Sequence, residues 1–144
     1  VPHRLTVADL MSRELVTLTE DDTLADARAC MARGRVRHLP VVRDGKLVGL
    51  VTHRDLLAAS FSVFAEVNPR EERELFATIP VRELMHDAVT APPHMPVEEA
   101  GRILLHNKFG CLPVVDSDGV LLGIVTEADF LKLAVRMLEA LRGS

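Results

Sequence analysis

The stretch RHLPVVRDGKLVGLVTHRDLL, residues 37–57, has an echo in GCLPVVDSDGVLLGIVTEADFL, residues 110–131. Both contain Leu-Pro-Val-Val, an Asp-Gly pair, a glycine inside an apolar run, and threonine followed three residues later by aspartate. Gly45, Gly49, Thr52 and Asp55 recur as Gly119, Gly123, Thr126 and Asp129, each at an offset of 74. Upstream, VADLMSRELVTL from Val7 returns as VRELMHDAVTA from Val81. Val7, Leu10 and Met11 reappear as Val81, Leu84 and Met85 at the same offset, and Thr17 reappears as Thr90 at 73. The gaps fall where turns or loops are expected, which tolerate insertion. A repeat this dense makes the chain two related units.

Each repeat is an alternation of short strands and helices. HLPVV and KLVGLVT flank Asp44-Gly45, a hairpin signal, and CLPVV and VLLGIVT flank Asp118-Gly119 in the same way. Ahead of each hairpin, an extended piece (LVTL or AVTA) precedes an amphipathic helix. Its apolar face is Leu24, Ala27 and Met31 in the first copy, and Val97, Ala100, Ile103 and Leu104 in the second. A second helix begins at Thr52 or Thr126. The order β-α-β-β-α, twice, predicts an α+β fold, with repeats at 1–61 and 81–144 and a helical connector at 62–80. About fifty residues bury too little apolar surface to stand alone, so each half is expected to cover the other. The connector EVNPREERELFATIP predicts a helix bounded by Pro69 and Pro80, with REERE as a solvated outer face. The alternative for that charged run is contact with a partner or a ligand cleft.

Composition excludes several function classes. Hydrophobic residues make up 48% and charged residues 26% of the 144, which suits a soluble globular domain. The net charge of −4 provides no basic field for polymeric nucleic acid or an anionic membrane. Trp and Tyr, the usual platforms for stacked bases, are absent. No apolar run approaches the roughly 18 residues of a membrane span, and VPHRLTV contains no signal-peptide core. A cytoplasmic location is therefore expected. A start at Val1 without methionine suggests a trimmed chain or a piece of a longer one. Cys30 and Cys111 are isolated among apolar neighbours, as buried reduced thiols are, and no zinc spacing is present. None of the six histidines forms a helical metal pair around an acid, and there is no nucleophile elbow or Walker loop. Neither catalysis nor a metal site is expected.

Within GLVTHRD, residues 49–55, two chemistries compete. Thr52 can cap a helix, accepting a backbone N–H while Asp55 reaches back from the first turn. The same residues can hold a ligand: an ionised carboxylate accepts only, so it can take both protons of a cis-diol. A helix N-terminus also favours anions. The two roles are compatible.

The pattern LM…VT…A…LPVV…G.LVG.VT..D, followed by LM…VT…A…LPVV…G.LLGIVT..D, resembles the cystathionine-β-synthase (CBS) domain. This regulatory repeat occurs in pairs called Bateman modules, and the resemblance runs from about Val7 to Leu133. It implies two β-α-β-β-α units packed through their sheets with pseudo-twofold symmetry. It also implies clefts that take adenosine-containing ligands: AMP, ADP, ATP or S-adenosylmethionine. By the same resemblance, Asp55 and Asp129 take the ribose, and Thr52 and Thr126 touch the ribose or phosphate. Arg37 and His38, with Arg35 and Arg54 nearby, hold phosphate. Thr17, Val36 and Leu50 form the base slot of the first cleft. The second, weaker cleft has Thr90, Phe109 and Ile124 at the base, with Gly110, Cys111 and Ala128 where the first has Arg37, His38 and Arg54; Lys108 lies nearby. No cofactor is required. The implied function is an energy-sensing regulatory module, paired as a homodimer, that acts on another protein. The competing expectation is a ligand-free dimerisation module, or the regulatory part of a larger enzyme or transporter.

Overall fold

The computed structural model describes residues 4–64, 67–107 and 110–143. It is a mixed helix and strand structure with two antiparallel two-stranded sheets and eleven segments in the order below. These are α1 (Val7–Leu10), α2 (Leu24–Gly34), β1 (His38–Arg43), β2 (Lys46–Thr52), α3 (His53–Phe64) and α4 (Pro69–Phe76). A 3-10 turn (Val81–Glu83), α5 (Val97–Asn107), β3 (Cys111–Val115), β4 (Leu121–Thr126) and α6 (Glu127–Arg142) complete it. The chain packs as two compact units. One is contiguous, Val16–Ala88, and the other joins the residues up to Leu15 to those from Val89 onward.

In the contiguous unit, α2 forms because Thr23 and Asp26 cap each other: Thr23 N–H donates to Asp26 Oδ2 at 2.9 Å and Asp26 N–H to Thr23 Oγ1 at 3.1 Å. The helix buries Leu24, Ala27 and Met31, the face its spacing predicts. It ends at Arg35, a left-handed residue with φ 52°. The core joins that face to Leu39, Val41, Val51, Leu56, Phe76 and Val81. Asp44 (φ 53°) and Gly45 (φ 79°) make the two-residue turn that pairs Arg43 with Lys46. LVTL adds only one parallel bridge to β1, at Leu18 and Val41, rather than a strand.

The other unit repeats this plan. Val7, Met11, Ala91, Ala100, Leu104, Leu112, Val114 and Val125 form its core, and Ala91 makes the parallel bridge to Val114. Its hairpin closes differently from the first. Asp116 Oδ1 accepts the N–H groups of Asp118 (2.8 Å) and Val120 (3.0 Å), and Gly119 alone is left-handed, at φ 85°. The extra residue makes a longer loop, organised by a side chain that the Asp-Gly signal alone does not reveal.

Packing divides the chain elsewhere than the repeats 1–61 and 81–144 with their connector 62–80. Ser12 exchanges backbone hydrogen bonds with Ile124 of β4 (2.9 and 3.0 Å), and His86 does the same with Leu50 of β2 (2.9 and 3.1 Å). Met11 lies over Gly123, and Met85 over Gly49. The opening segment of each repeat therefore completes the hairpin of the other. Each hairpin gains an edge partner for backbone groups that would otherwise face no donor or acceptor.

The connector helix is also not simply an outer face. It ends at Phe76, four residues short of Pro80, and Glu72 within REERE points inward at 7% exposure. Arg28 of α2 donates to Glu72 Oε1 at 2.6 Å and Ser60 of α3 to Oε2 at 2.7 Å. The Ser60 and Arg28 hydrogen bonds hold the Glu72 carboxyl below its ordinary range. Arg28 also lies over the Phe76 ring, 4.4 Å from its centroid. A buried carboxylate needs such partners. The other members of the run (Arg70, Glu71, Arg73 and Glu74) are exposed.

Candidate functional site

Strand β2 ends at Thr52, and α3 starts at the next residue. Thr52 N–H donates to Asp55 Oδ2 at 2.8 Å, and Asp55 N–H donates to Thr52 Oγ1 at 3.1 Å. The cap is thus real and reciprocal, yet the Asp55 side chain keeps 25% exposure. A second partner reaches the same oxygen from far along the chain: His86 Nε2 lies 3.0 Å from Asp55 Oδ2. The backbone pairing of His86 with Leu50 fixes where the ring starts, and its Nδ1 sits 3.0 Å from the Asp87 carbonyl oxygen. His86 is the functional candidate that sequence reasoning passed over. Its signal was positional: it stands 74 residues after Ser12, in the repeated segment behind Leu-Met.

The basic residues gather on a different side of α3. A groove of about 400 Å³ between α2 and α3 is lined by Arg28, Arg35, Val36, Arg37 and His53 over Met31, Leu56 and Leu57. Thr17, Leu50, Thr52 and Asp55 are not in its lining. Asp55 lies roughly half a turn around the helix from His53 and Leu57, and about a quarter turn from Leu56. Arg35, Arg37 and Arg54 are exposed, and none forms an ion pair among the described residues. Arg37 remains close to the cap, because its carbonyl accepts the His53 N–H at 2.8 Å. His38 is half-buried and stands opposite Thr52 in the β1–β2 register. Thr17 is exposed and Leu50 is buried.

The second copy preserves the cap. Thr126 N–H donates to Asp129 Oδ2 at 2.8 Å, and Thr126 Oγ1 lies 3.4 Å from the same atom. Ser12 stands where the first copy has His86, and its hydroxyl contacts the Glu14 carbonyl at 3.5 Å instead. Thr90, Gly110, Ile124, Thr126 and Asp129 are half-buried. Cys111 pairs with Thr126 across the hairpin, and burial pushes its thiol up to about 12. It is therefore an inert sulfhydryl rather than a reactive one. Lys108 and Phe109 lie outside the described residues. Among the described residues, no helix is long and apolar enough to cross a membrane.

The CBS domain family model matches residues 7–62 and 81–136. A CBS domain-containing protein of Dictyostelium discoideum is 36% identical over 138 residues, covering 94% of this chain and 95% of that protein. The Vibrio cholerae protein AcuB superposes with a TM-score of 0.81 at 36% identity, covering 99% of this chain and 98% of the other. The CBS-pair protein CBSX2 of Arabidopsis thaliana superposes at 0.81 with 31% identity, over 95% and 99% of the two chains. CBSX2 has also been solved in complex with AMP, and that structure matches at 0.77 and 32% identity over 92% and 97%. Against the inosine-5′-monophosphate dehydrogenase of Thermoplasma acidophilum, at 33% identity, the chain spans only 22% of the enzyme. Two matched segments, two hairpins and two reciprocal Thr–Asp caps lead to one conclusion: the chain belongs to the CBS domain family and carries a tandem pair of these domains.

Proposed function

We propose that the chain is a regulatory module that binds an adenosine-containing nucleotide through the Asp55 site of its first repeat. The observation that carries this reading is the Asp55 carboxylate at the α3 N-terminus, 25% exposed, with Arg37 and Arg54 nearby and in no ion pair among the described residues. The carboxylate suits ribose hydroxyls, and guanidinium groups suit phosphate. The AMP complex of CBSX2 supports the same ligand class. The Asp129 site keeps the acidic partner but has Gly110, Cys111 and Ala128 in place of Arg37, His38 and Arg54, so it is the weaker of the two. Binding regulates only to the extent that the ligand prefers one conformation over another.

Calorimetric titration with AMP, ADP, ATP and S-adenosylmethionine tests the reading. At least one is expected to bind. Asp55→Asn, which keeps a cap acceptor but removes the charge, should weaken it about tenfold or more. Arg37→Ala should weaken AMP more than adenosine. No binding by any of the four overturns the nucleotide reading.

Pairing with a second copy is the other part of the proposal. None of the sixteen residues of α6 is buried, and Leu131 (67% exposed), Val135 (46%) and Leu138 (63%) share one helical face. Such a stripe is the usual mark of an interface. Sedimentation should give a dimer that Leu138→Asp converts to monomer. A monomeric parent at high concentration would leave α6 without this role.

A further inference from the structure

We propose that His86 determines how the Asp55 site reads a ribose, by holding one of the two carboxylate oxygens that the diol would otherwise use. The inference rests on the nucleotide reading above.

Asp55 Oδ2 already receives two donors, the Thr52 N–H at 2.8 Å and His86 Nε2 at 3.0 Å. The carboxylate only accepts when ionised, so the imidazole nitrogen facing it is the donor. Among the described residues nothing donates to Oδ1. The first site therefore offers a ribose one open oxygen, and the latch is held in place by chain geometry. The Leu50–His86 backbone pair sets the Cα from which the ring reaches Asp55. Removing the ring leaves that backbone pair intact.

The second copy is a built-in control. Ser12 makes the same backbone pair with Ile124, but its short side chain turns to Glu14, and among the described residues Asp129 Oδ2 is met only by Thr126. The caps also differ within themselves: Asp55 N–H donates to Thr52 Oγ1 at 3.1 Å, whereas the Thr126 hydroxyl points to Asp129 Oδ2 at a long 3.4 Å. What distinguishes the donors arriving from outside the two caps is the His86 side chain. The first site holds its ribose through a single hydroxyl, and His86→Ser converts it to a site that engages both.

The test compares AMP, 2′-deoxy-AMP and 3′-deoxy-AMP by calorimetry on the full chain, with thermal melting to confirm folding. In the parent protein, only one of the deoxy analogues should bind more weakly than AMP. In His86→Ser, both should bind more weakly, and AMP itself should tighten about tenfold or more, the effect of freeing one acceptor of a charged hydrogen bond. His86→Gln, which retains an N–H donor of similar reach, should keep the parent pattern. Asp55→Asn combined with His86→Ser should lose the gain. Parent and His86→Ser proteins that bind AMP alike, with both hydroxyls already counting in the parent, overturn the role of His86 and leave the nucleotide reading intact. Weaker AMP binding by His86→Ser overturns it too, by making His86 a ligand contact. If no variant binds any of the three, the nucleotide reading fails and this inference fails with it.

Discussion

Phe76→Ala is expected to lower stability by about 3–5 kcal/mol, the usual range for emptying a buried aromatic site. Phe76 is 0% exposed and among the largest fully buried side chains, although it is the last residue of a short connector helix. It packs into the cluster built by α2, β1, β2 and α3 and supports the Arg28 guanidinium from below. Arg28 in turn carries one of the hydrogen bonds to the inward carboxylate of Glu72. Loss of the ring therefore opens a cavity and loosens the tie between α4 and α2. At about 4 °C per kcal/mol for a chain of this length, the melting temperature should fall by roughly 12–20 °C. Phe76→Leu, which refills part of the volume, should lose clearly less. Urea unfolding measures both, and a loss under about 1 kcal/mol for alanine would show that α4 is a detachable linker.

The second large effect comes from a pair of glycines that look equivalent. A Cβ on Gly49 would lie 2.9 Å from Met85 Sδ and 3.1 Å from its Cγ. The three nearest atoms all belong to the Met85 side chain, and methionine adapts readily, so Gly49→Ala should cost about 1 kcal/mol. A Cβ on Gly123 would lie 2.6 Å from Met11 Sδ and also 2.8 Å from the Ser12 carbonyl oxygen. That oxygen is fixed, because it accepts the Ile124 N–H at 3.0 Å. Gly123→Ala must therefore break the bridge or shift β4, at a cost of about 2–3 kcal/mol. Parallel thermal melts of the two variants decide the matter, and equal losses would refute the distinction.

Much of the fold was legible because its signals are local. The Asp44-Gly45 turn and the Leu24, Ala27, Met31 face each lie within a few residues of one another, and a repeat doubles the evidence for every element. Thr52 and Asp55 were legible as cap and candidate site for the same reason. Features that depend on distant chain segments were not. Nothing near Met11 says that it belongs over Gly123, and nothing near Asp55 announces a histidine 31 residues on. Glu72 sits in a run whose other charges face water, and only its spacing of four from Phe76 marks the inward face. The second hairpin misled because Asp116, two residues before Asp118, does the organising. Arg35 takes the left-handed position that ends α2 although Gly34 immediately precedes it.

The traded opening segments also impose an order on how the chain can be completed. Every residue of the unit Val16–Ala88 is present once residue 88 has been synthesised, so this half can close with short loops while the rest is still emerging. The other half cannot. Its first fifteen residues must wait for β4, and Ser12 meets Ile124 only after more than a hundred residues have intervened. Because closure entropy grows only slowly with loop length, the final structure suffers little from that separation. The cost appears in time, since long-range pairings form late. The histidine latch at Asp55 thus belongs to the half that assembles first, and α6 belongs to the half that assembles last.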